Sequence, residues 1–351
     1  MSNVVSIGAP RRPSLAQRQA ILVENFACHR RASDDVYWLK ENAELLSILA
    51  TRDADLTPQA LQTFSKFYDD IEEKLRFFPQ YYRFLLSICL DLEDLGMPGH
   101  KGAALCKWAA DAQLPACELS DLQRAEAERL LARRDAVQPS KALEERLRAF
   151  ICHSSTFALP NKKAAYELTH IVFYLSNYGT QDPCLSKAAI VSLEFAALMA
   201  YLDQDIDLLS EVCVALRFSG QQPSEIWEDW LAAEIHRFSL LPCADFGGGD
   251  SYHEYLVGSW WADIAGLPSF TGTPCRGGIE IRRTQARRGP LREMSQLMFN
   301  LGAARSADWR QMRAVLEAEL GSDQQHILEG AAQSSAQFQA FFERFSRAKN
   351  L

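Results

Sequence analysis

The chain contains 351 residues, of which 48% are hydrophobic and 23% are charged, and this composition excludes a disordered or collagen-like protein. The formal net charge of −8 argues against nucleic acid as a general partner. The first residues lack the apolar segment of a secretory signal, and no apolar run reaches the roughly 20 residues that cross a membrane. Together with nine cysteines that include no Cys-x-x-Cys pair, these features predict a cytoplasmic protein without a membrane partner.

The first part of the chain shows helical periodicity, with apolar residues repeating at spacings of three and four. Thr57-Pro58 provides an N-cap followed by proline at the first helical position. Polar residues from Arg133 to Ser140 then indicate a linker. The helices predicted in this block span residues 14–31, 34–50, 58–76, 79–95, 98–112 and 119–135.

The second part of the chain continues the helical pattern up to a stretch rich in Gly, Pro and Arg at residues 267–290. Because no sustained alternation of apolar and polar residues occurs, no β-strand is predicted. The helices predicted here span residues 141–152, 161–177, 186–202, 205–219, 223–240 and 250–265, followed after the interruption by 290–302, 306–320 and 323–347.

The number of helices and their short connections predict an all-α protein. Such helices favour stacked antiparallel helix pairs, arranged either as an α/α toroid or as an α-solenoid. No fixed sequence period is found, which argues against a regular tetratricopeptide or HEAT array. We predict an N-terminal helical domain at residues 1–136 and a C-terminal helical domain at 137–351, the latter with an Arg-rich insertion at 267–290.

The densest set of reactive side chains lies in the predicted helix at residues 161–177. A carboxylate, an imidazole and two phenols at spacings of three and four residues share one edge of this helix, which suits metal binding or acid–base chemistry. The alternative is a buried hydrogen-bonded network that holds neighbouring helices together. The residues on this edge are Glu167, His170, Tyr174 and Tyr178.

A second set, of acidic residues, lies at the start of the predicted helix at 205–219. Asp203 or Asp205 is suited to cap this helix. An EF-hand calcium loop is excluded because its glycine and its twelfth-position glutamate are absent from the sequence. Asp207 and Glu211 lie one turn apart and can face a cavity, and the alternative is that they are solvated residues of a capped helix.

A third set follows the glycine-rich loop that begins at Asp245. The loop does not have the spacing of a Walker A motif, so a nucleotide site is not expected. Tyr252 and His253 fall in the first helical turn, where the helix dipole favours a neutral imidazole that can act as a ligand or a base. The alternative is a capped helix that packs Trp260 and Trp261 in the core.

A basic segment interrupts this acidic protein between Arg276 and Arg292. It contains six arginines and one acidic residue, Glu280. Because arginine binds carboxylates and phosphates in a bidentate manner, the segment is suited to recruit an anionic substrate. The alternative is a solvated insertion without a ligand. The candidate anion-binding residues are Arg282, Arg283, Arg287 and Arg288.

Three motifs occur in order between residues 140 and 265. They are Thr169-His170-x-x-Phe173-Tyr174 with Gly179, Asp207-Leu208-Leu209-x-Glu211, and Tyr252-His253-x-x-x-Val257-Gly258. In these motifs the second block resembles an uncharacterised all-helical domain family of bacterial proteins, and the first block resembles another uncharacterised helical family. The resemblance implies a tailoring or accessory role beside natural-product genes, and it implies no particular reaction.

The motifs bring acid–base and metal-ligand side chains from three predicted helices, which can face one cavity in a curved helical array. Two histidines and a carboxylate suit non-haem iron or zinc, so these are the expected metals. Asp207 or Glu211 is the supporting carboxylate and Tyr174 the expected proton donor. The expected catalytic residues are His170, Tyr174, His253, Asp207 and Glu211, and the expected metal ligands are His170, His253 and Glu167.

These residues lead to two functional hypotheses. The first is a cytoplasmic tailoring enzyme of specialised metabolism that acts on a peptide or a small anionic substrate, with Tyr252 and the four arginines in substrate binding. The second is a non-catalytic α-helical scaffold or accessory protein that binds a protein partner. An enzyme should bring the His, Tyr and acidic side chains together with perturbed pKa values, whereas a scaffold should satisfy them mutually.

Overall fold

The structure, a computed structural model, describes residues 13–244, 246–284 and 287–348. Residues 1–12 of the predicted N-terminal domain, Asp245 of the glycine-rich loop, residues 285–286 of the Arg-rich insertion and residues 349–351 lie outside the described part. Over the described residues the protein is α-helical apart from a two-stranded sheet, which confirms the predicted all-α class. None of the described helices is both long enough and apolar enough to cross a membrane.

The N-terminal helices begin at polar residues that cap them. Ser14 and Gln17 exchange hydrogen bonds in a capping box at the start of the first helix. Thr57 caps the helix at Pro58 as predicted, but that helix ends at Gln62, so the predicted helix at 58–76 is in fact two helices. The helices of this part are α1 (Leu15–Cys28), α2 (Val36–Thr51), α3 (Pro58–Gln62), α4 (Ser65–Phe77), α5 (Tyr82–Asp94), α6 (Lys101–Asp111) and α7 (Asp121–Ala132).

The middle of the chain contains the most buried helix, α11 (Lys187–Asp203). Nearly every side chain from Leu193 to Leu202 is buried, because other helices pack around it on several sides. Gln204, the residue that caps its C-terminus, has a left-handed backbone (φ 56°), which turns the chain into the next helix. The other helices of this part are α8 (Lys141–Ile151), α9 (Ser154–Phe157), α10 (Lys162–Leu175), α12 (Ile206–Phe218) and α13 (Glu225–Glu234).

A two-stranded antiparallel sheet corrects the prediction that the chain has no strands. β1 (Phe238–Pro242) pairs with β2 (Ile279–Arg283), and Leu240 lies opposite Ile281. Strands of five residues are too short to show a clear period of two, and the start of β1 falls within the predicted helix at 223–240. The Arg-rich insertion is therefore in part an ordered strand, in which Ile279 and Ile281 are fully buried.

The last helices of the chain pack against α11. The single helix predicted at residues 323–347 is divided at Ser335, whose backbone is extended and whose hydroxyl binds Glu194 and the Gln337 N–H. Single-turn 3₁₀ helices occur at Pro79–Tyr81, Leu114–Cys117, Ile235–Arg237 and Gly302–Ala304. The remaining α-helices are α14 (Tyr252–Ile264), α15 (Leu291–Leu301), α16 (Trp309–Glu319), α17 (Ser322–Ser334) and α18 (Phe338–Ser346).

Helix α12 is the element around which the polar side chains of interest gather. It packs against α10 on one side and α14 on another, and α14 packs in turn against α2. The hydrophobic core is continuous through these contacts and crosses the predicted domain boundary. Helices α2, α10, α12 and α14 therefore present side chains to one common region.

Candidate functional site

Two carboxylates and one imidazole meet where α12 packs against α14. Asp207 and Glu211 lie one turn apart on α12, and His253 lies in the first turn of α14. One ligand-type atom from each of the three side chains lies within 4.8 Å of the other two. The fold thus brings together three of the predicted site residues, and we call Asp207, Glu211 and His253 the histidine cluster.

Asp207 has one carboxylate oxygen with a hydrogen-bond partner and one without. Its Oδ2 accepts a hydrogen bond of 2.7 Å from the Tyr166 hydroxyl. Its Oδ1 is buried, accepts no hydrogen bond from the described residues, and lies 3.3 Å from His253 Nε2. A buried carboxylate oxygen without a partner is destabilising, because nothing replaces the water it has lost. This geometry favours a positively charged partner between the two side chains.

His253 is oriented by a carboxylate from the N-terminal part of the chain. Its Nδ1 lies 3.1 Å from Glu44 Oε2 on α2, and Glu44 also accepts a hydrogen bond from the Tyr252 hydroxyl. When neutral, a histidine that donates from Nδ1 keeps a lone pair on Nε2, and when protonated it presents an N–H there; this nitrogen faces Asp207. Sequence analysis missed Glu44 because its contact with His253 joins residues 209 positions apart.

Two hydroxyl donors on α10 hold the carboxylates of α12. Tyr166 donates to Asp207, and Thr169 donates to Glu211, whose side chain is buried. The sequence analysis missed both donors. Tyr166 lies four residues before His170, so the helical spacing that selected His170 was sufficient to select Tyr166 as well.

Burial and an excess of negative charge shift the pKa values in the cluster. Burial raises the pKa of Glu211 to about 7, with the charge of His170 opposing the shift and that of Asp207 reinforcing it. Burial also raises the pKa of Asp207. Burial disfavours a charged His253, but its hydrogen bond and ion pair with Glu44 and the charge of Asp207 raise the pKa of His253 to about 9. The cluster therefore favours an added cation, whether proton or metal.

The other residues predicted on the α10 edge lie beside the histidine cluster. His170 Nδ1 is 2.7 Å from a backbone carbonyl of the preceding turn and 3.7 Å from Glu211 Oε2, so its imidazole flanks the carboxylates. Tyr174 packs against the guanidinium of Arg129 at 5.6 Å, and burial raises the pKa of Tyr174 well above its ordinary value. Glu167 makes no hydrogen bond or ion pair with the described residues and lies outside the cluster.

The four arginines predicted to bind an anion occupy different environments. Arg283 is largely buried, and its charge is neutralised by Glu234 at 2.7 Å. Arg282 is exposed and pairs with a glutamate on its own strand. Arg287 and Arg288 are exposed in the loop after β2. The structure therefore does not gather the four guanidinium groups into one anion site.

The donor set of the histidine cluster fits a first-row divalent cation. Carboxylate oxygens and imidazole nitrogens bind such ions at about 2.0–2.2 Å, which separates neighbouring ligand atoms by roughly 3–4 Å. The 3.3 Å between His253 Nε2 and Asp207 Oδ1 falls in this range. Glu44 and Tyr166 supply the outer hydrogen bonds that orient metal ligands. About a third of the His253 side chain (35%) is exposed, so the cluster is accessible from solvent.

Comparison with known proteins gives a family but no relative of known activity. None of the curated proteins and none of the solved structures is detectably similar to the chain. One family model, described as Domain of unknown function (DUF6902), matches residues 1–348 and so spans both predicted blocks. The expectation of an uncharacterised family is thereby confirmed. The chain belongs to the DUF6902 family.

Proposed function

We propose that this protein is a metal-dependent enzyme whose divalent ion is bound by Asp207, Glu211 and His253. The observation that carries the proposal is the buried Oδ1 of Asp207, which has no hydrogen-bond partner among the described residues and lies 3.3 Å from His253 Nε2. Its nearest cationic group is the imidazole of His253, which compensates its burial only when protonated. A metal ion coordinated by both atoms would compensate its burial.

The surroundings of the three side chains support the same proposal. Glu44 orients the His253 imidazole through Nδ1. Tyr166 donates a hydrogen bond to Asp207 Oδ2, and Thr169 donates one to Glu211 Oε2. Outer hydrogen bonds of this kind fix ligand orientation in metal sites and increase ligand basicity. Each proposed ligand therefore has a supporting partner on α2 or α10.

The ligand types select a class of metal and of reaction. One imidazole with two carboxylates suits iron or zinc, as the sequence predicts, and also manganese. Three protein ligands leave coordination positions for water and substrate, so the site is suited to hydrolysis or oxidation. His170, beside Glu211 and about a third exposed, is placed to act as a general base.

The remaining parts of the proposal concern the biological setting. We infer a cytoplasmic tailoring enzyme of bacterial specialised metabolism that acts on a peptide or a small anionic substrate. All nine cysteines are free, which is usual in a reducing compartment. The exposed Arg287 is the arginine of this segment best placed to attract an anion, because Arg282, Arg283 and Arg288 pair with Glu280, Glu234 and Glu293.

The test is the metal content of the full chain purified without chelators, compared with Asp207→Asn and with Asp203→Asn as a matched control. Asp203 lies at the end of α11 and pairs with Lys162, outside the cluster. We expect close to one equivalent of iron, zinc or manganese in the wild type and in Asp203→Asn, and a loss of at least tenfold in Asp207→Asn. Equal metal content in all three folded proteins, or none in any after incubation with each ion, would refute the proposal.

A second candidate function is supported by the same geometry without a metal. The protonated His253 can bridge Glu44 and Asp207, at 3.1 Å and 3.3 Å, and so join α2, α12 and α14 as a structural link in a protein-binding scaffold. This candidate predicts that added zinc, iron or manganese leaves the thermal unfolding midpoint unchanged. A metal ion that binds the native state alone would raise that midpoint.

A further inference from the structure

A cavity of about 710 Å³ lies on another face of the helices that build the histidine cluster. Ala165 of α10 and Leu208 of α12 line the cavity, whereas the residues next to them, Tyr166 and Asp207, belong to the cluster. Adjacent residues on a helix point about 100° apart, so the same two helices serve both sites. The cavity and the histidine cluster are therefore neighbouring but separate features.

The walls of the cavity are mainly apolar. They come from α9, α10, α11, α12 and α15, and the volume lies within the range of about 300–1,000 Å³ that is usual for small-molecule sites. Phe299, which also lines the cavity, is 76% exposed. The apolar lining includes Phe157, Leu159, Met199, Leu208, Leu291 and Met298.

Three arginines line the same cavity without carboxylate partners. Arg292, Arg305 and Arg347 form no ion pair with a carboxylate in the part of the chain that the structure describes. Arg305 and Arg347 use Nε to donate to nearby backbone carbonyls at 2.9 Å and 3.1 Å. Their remaining guanidinium donors, and those of Arg292, are available to a ligand.

The acidic residues of the cavity, in contrast, already have a cation. Asp203 and Asp205 both lie within hydrogen-bond distance of Lys162 Nζ, at 2.7 Å and 2.8 Å. With three arginines and one lysine against two aspartates, the cavity lining carries a formal charge of +2. This local excess of positive charge contrasts with the net charge of −8 of the whole chain.

A buried hydroxyl adds a specific polar group to the apolar wall. The Oγ of Ser295 is buried and has no hydrogen-bond partner among the described residues. Ser295 lies one turn after Arg292 on α15, and both line the cavity. Ser295 is therefore a polar residue beneath the part of the cavity wall that Arg292 also lines.

We infer that this cavity binds an amphipathic anion, a molecule with an apolar chain and a single carboxylate or phosphate head. The apolar walls accommodate the chain, and Arg292, Arg305 and Arg347 bind the head in the bidentate manner typical of guanidinium groups. A cationic amphiphile would meet three arginines, and an uncharged one would leave their donors unused. The inference uses none of the metal ligands, so it stands independently of the proposed function.

The test is calorimetric titration of the full chain with ten-carbon ligands below their micelle concentrations. Decanoate and decyl phosphate carry the two head groups, and decanol serves as the uncharged ligand of equal chain length. We expect both anions to bind at least tenfold more tightly than decanol, and the tighter of the two identifies the preferred head. Decanol binding as tightly as both anions, or no binding of any of the three, would overturn the inference.

A matched pair of charge reversals locates the site. Arg292→Glu should weaken decanoate binding at least tenfold, whereas Arg76→Glu, an exposed reversal on α4, should leave it unchanged. Equal affinity in the two variants would place the anion elsewhere and contradict the inference. The Asp207→Asn variant should keep full decanoate affinity, which separates a failure here from a failure of the metal proposal.

Discussion

Two charged clusters lie side by side in this protein and draw on the same two regions of the chain. α2 supplies Glu41 to one cluster and Glu44 to the other, three residues apart. The segment that leads into α14 supplies Asp250 to the first, and the first turn of α14 supplies His253 to the second. The two clusters therefore share α2 and the start of α14, and they differ in charge and in their remaining residues, Arg30 and Arg31 in one and Asp207 and Glu211 in the other.

The first, which we call the arginine cluster, consists of Arg30, Arg31, Glu41 and Asp250. Arg30 donates to Glu41 at 2.9 Å and to both oxygens of Asp250 at 2.8 Å and 3.0 Å, while Arg31 donates to the other oxygen of Glu41. Asp250 also accepts the backbone N–H of Ile281 at 2.7 Å. Two positive and two negative charges balance, and every carboxylate oxygen has a donor.

The histidine cluster lacks this balance. Three carboxylates, those of Glu44, Asp207 and Glu211, surround the single imidazole of His253, and one buried oxygen has no donor among the described residues. The arginine cluster is thus a completed cross-link between distant segments. The histidine cluster is less completely paired, and this difference is the basis of the cation site that we propose.

The largest expected effect comes from removing the cation of the arginine cluster. Arg30→Met leaves Glu41 and Asp250 as buried carboxylates without their main partner, so the free energy of unfolding should fall by about 3–5 kcal/mol. Urea denaturation of the full chain measures this change. Arg31→Met should cost less, about 1–3 kcal/mol, because it leaves one oxygen of the buried Glu41 without a donor while Arg30 still binds the other. An unchanged urea midpoint for Arg30→Met would contradict the cross-link.

Removing a charge from the histidine cluster should increase the free energy of unfolding, whereas the Arg30 substitution decreases it. Burial raises the pKa of Glu211 from 4.5 to about 7, so in the metal-free protein its ionisation opposes folding above pH 4.5, increasingly up to pH 7. The wild type should therefore lose stability as the pH rises through this window. Glu211→Gln should match the wild type near pH 4 and exceed it by about 2–3 kcal/mol at pH 8, measured by denaturation with chelator present.

Glu93, a carboxylate whose two oxygens both accept hydrogen bonds, is the control for this predicted increase in stability. Burial alone would raise the pKa of Glu93, but hydrogen bonds from the Gly102 N–H, Tyr68 and Arg134 lower it. Its ionised form therefore favours folding above the unfolded pKa, and this contribution is lost as the pH falls through the folded pKa. Glu93→Gln should destabilise the protein at pH 8 by about 1 kcal/mol. A stabilising Glu93→Gln would remove the contrast between balanced and unbalanced carboxylates.

The outer hydrogen bond to Asp207 should affect metal affinity. Tyr166→Phe removes the hydroxyl that orients this carboxylate, and metal affinity should fall about 10–100-fold. Titration with zinc or manganese measures the change. Tyr174→Phe is the matched control, because the Tyr174 ring packs against Arg129 and its hydroxyl is not bound to Asp207, Glu211 or His253 in the described structure, so affinity should not change. Equal losses in the two variants would mean that the hydroxyl of Tyr166 has no specific role.

The smallest expected effect concerns an exposed ion pair on strand β2 of the two-stranded sheet. Arg282→Ala removes a pair with Glu280 in which the arginine side chain is mostly exposed and solvent screens the charges, so the free energy of unfolding should hardly change. Arg283→Ala, one residue away, leaves the buried Glu234 without its partner and should cost clearly more. Thermal unfolding of the two variants compares them directly. A larger loss for Arg282→Ala would show that burial does not set the strength of these pairs.

The sequence predicted the helices well where a signal is local. The apolar run that forms α11 and the cap at Thr57 are visible in the sequence, because periodicity and capping depend on neighbouring residues. The break at Ser335 and the two short strands were missed. Their conformations depend on tertiary partners, such as Glu194 for Ser335, that a local pattern does not reveal.

The same distinction applies to the candidate site. Asp207 and Glu211 were predicted together because a spacing of four residues places them on one helix face. Glu44 was missed because only the packing of α2 against α14 brings it to His253. Glu167 was predicted on spacing alone. Spacing does not indicate which edge of α10 faces α12, and in the structure Glu167 lies outside the cluster.

The attachment of α1 has a consequence for how the chain folds during synthesis. Arg18, Asn25 and Arg30 donate to backbone carbonyls of Phe270, Cys275 and Ile279, which lie 252, 250 and 249 residues further along the chain. At translation rates of about 5–20 residues per second, these partners emerge roughly 12–50 s after α1. During that interval one side of the first helix has no native partner. These three hydrogen bonds therefore form only after the segment that contains Phe270, Cys275 and Ile279 has been synthesised.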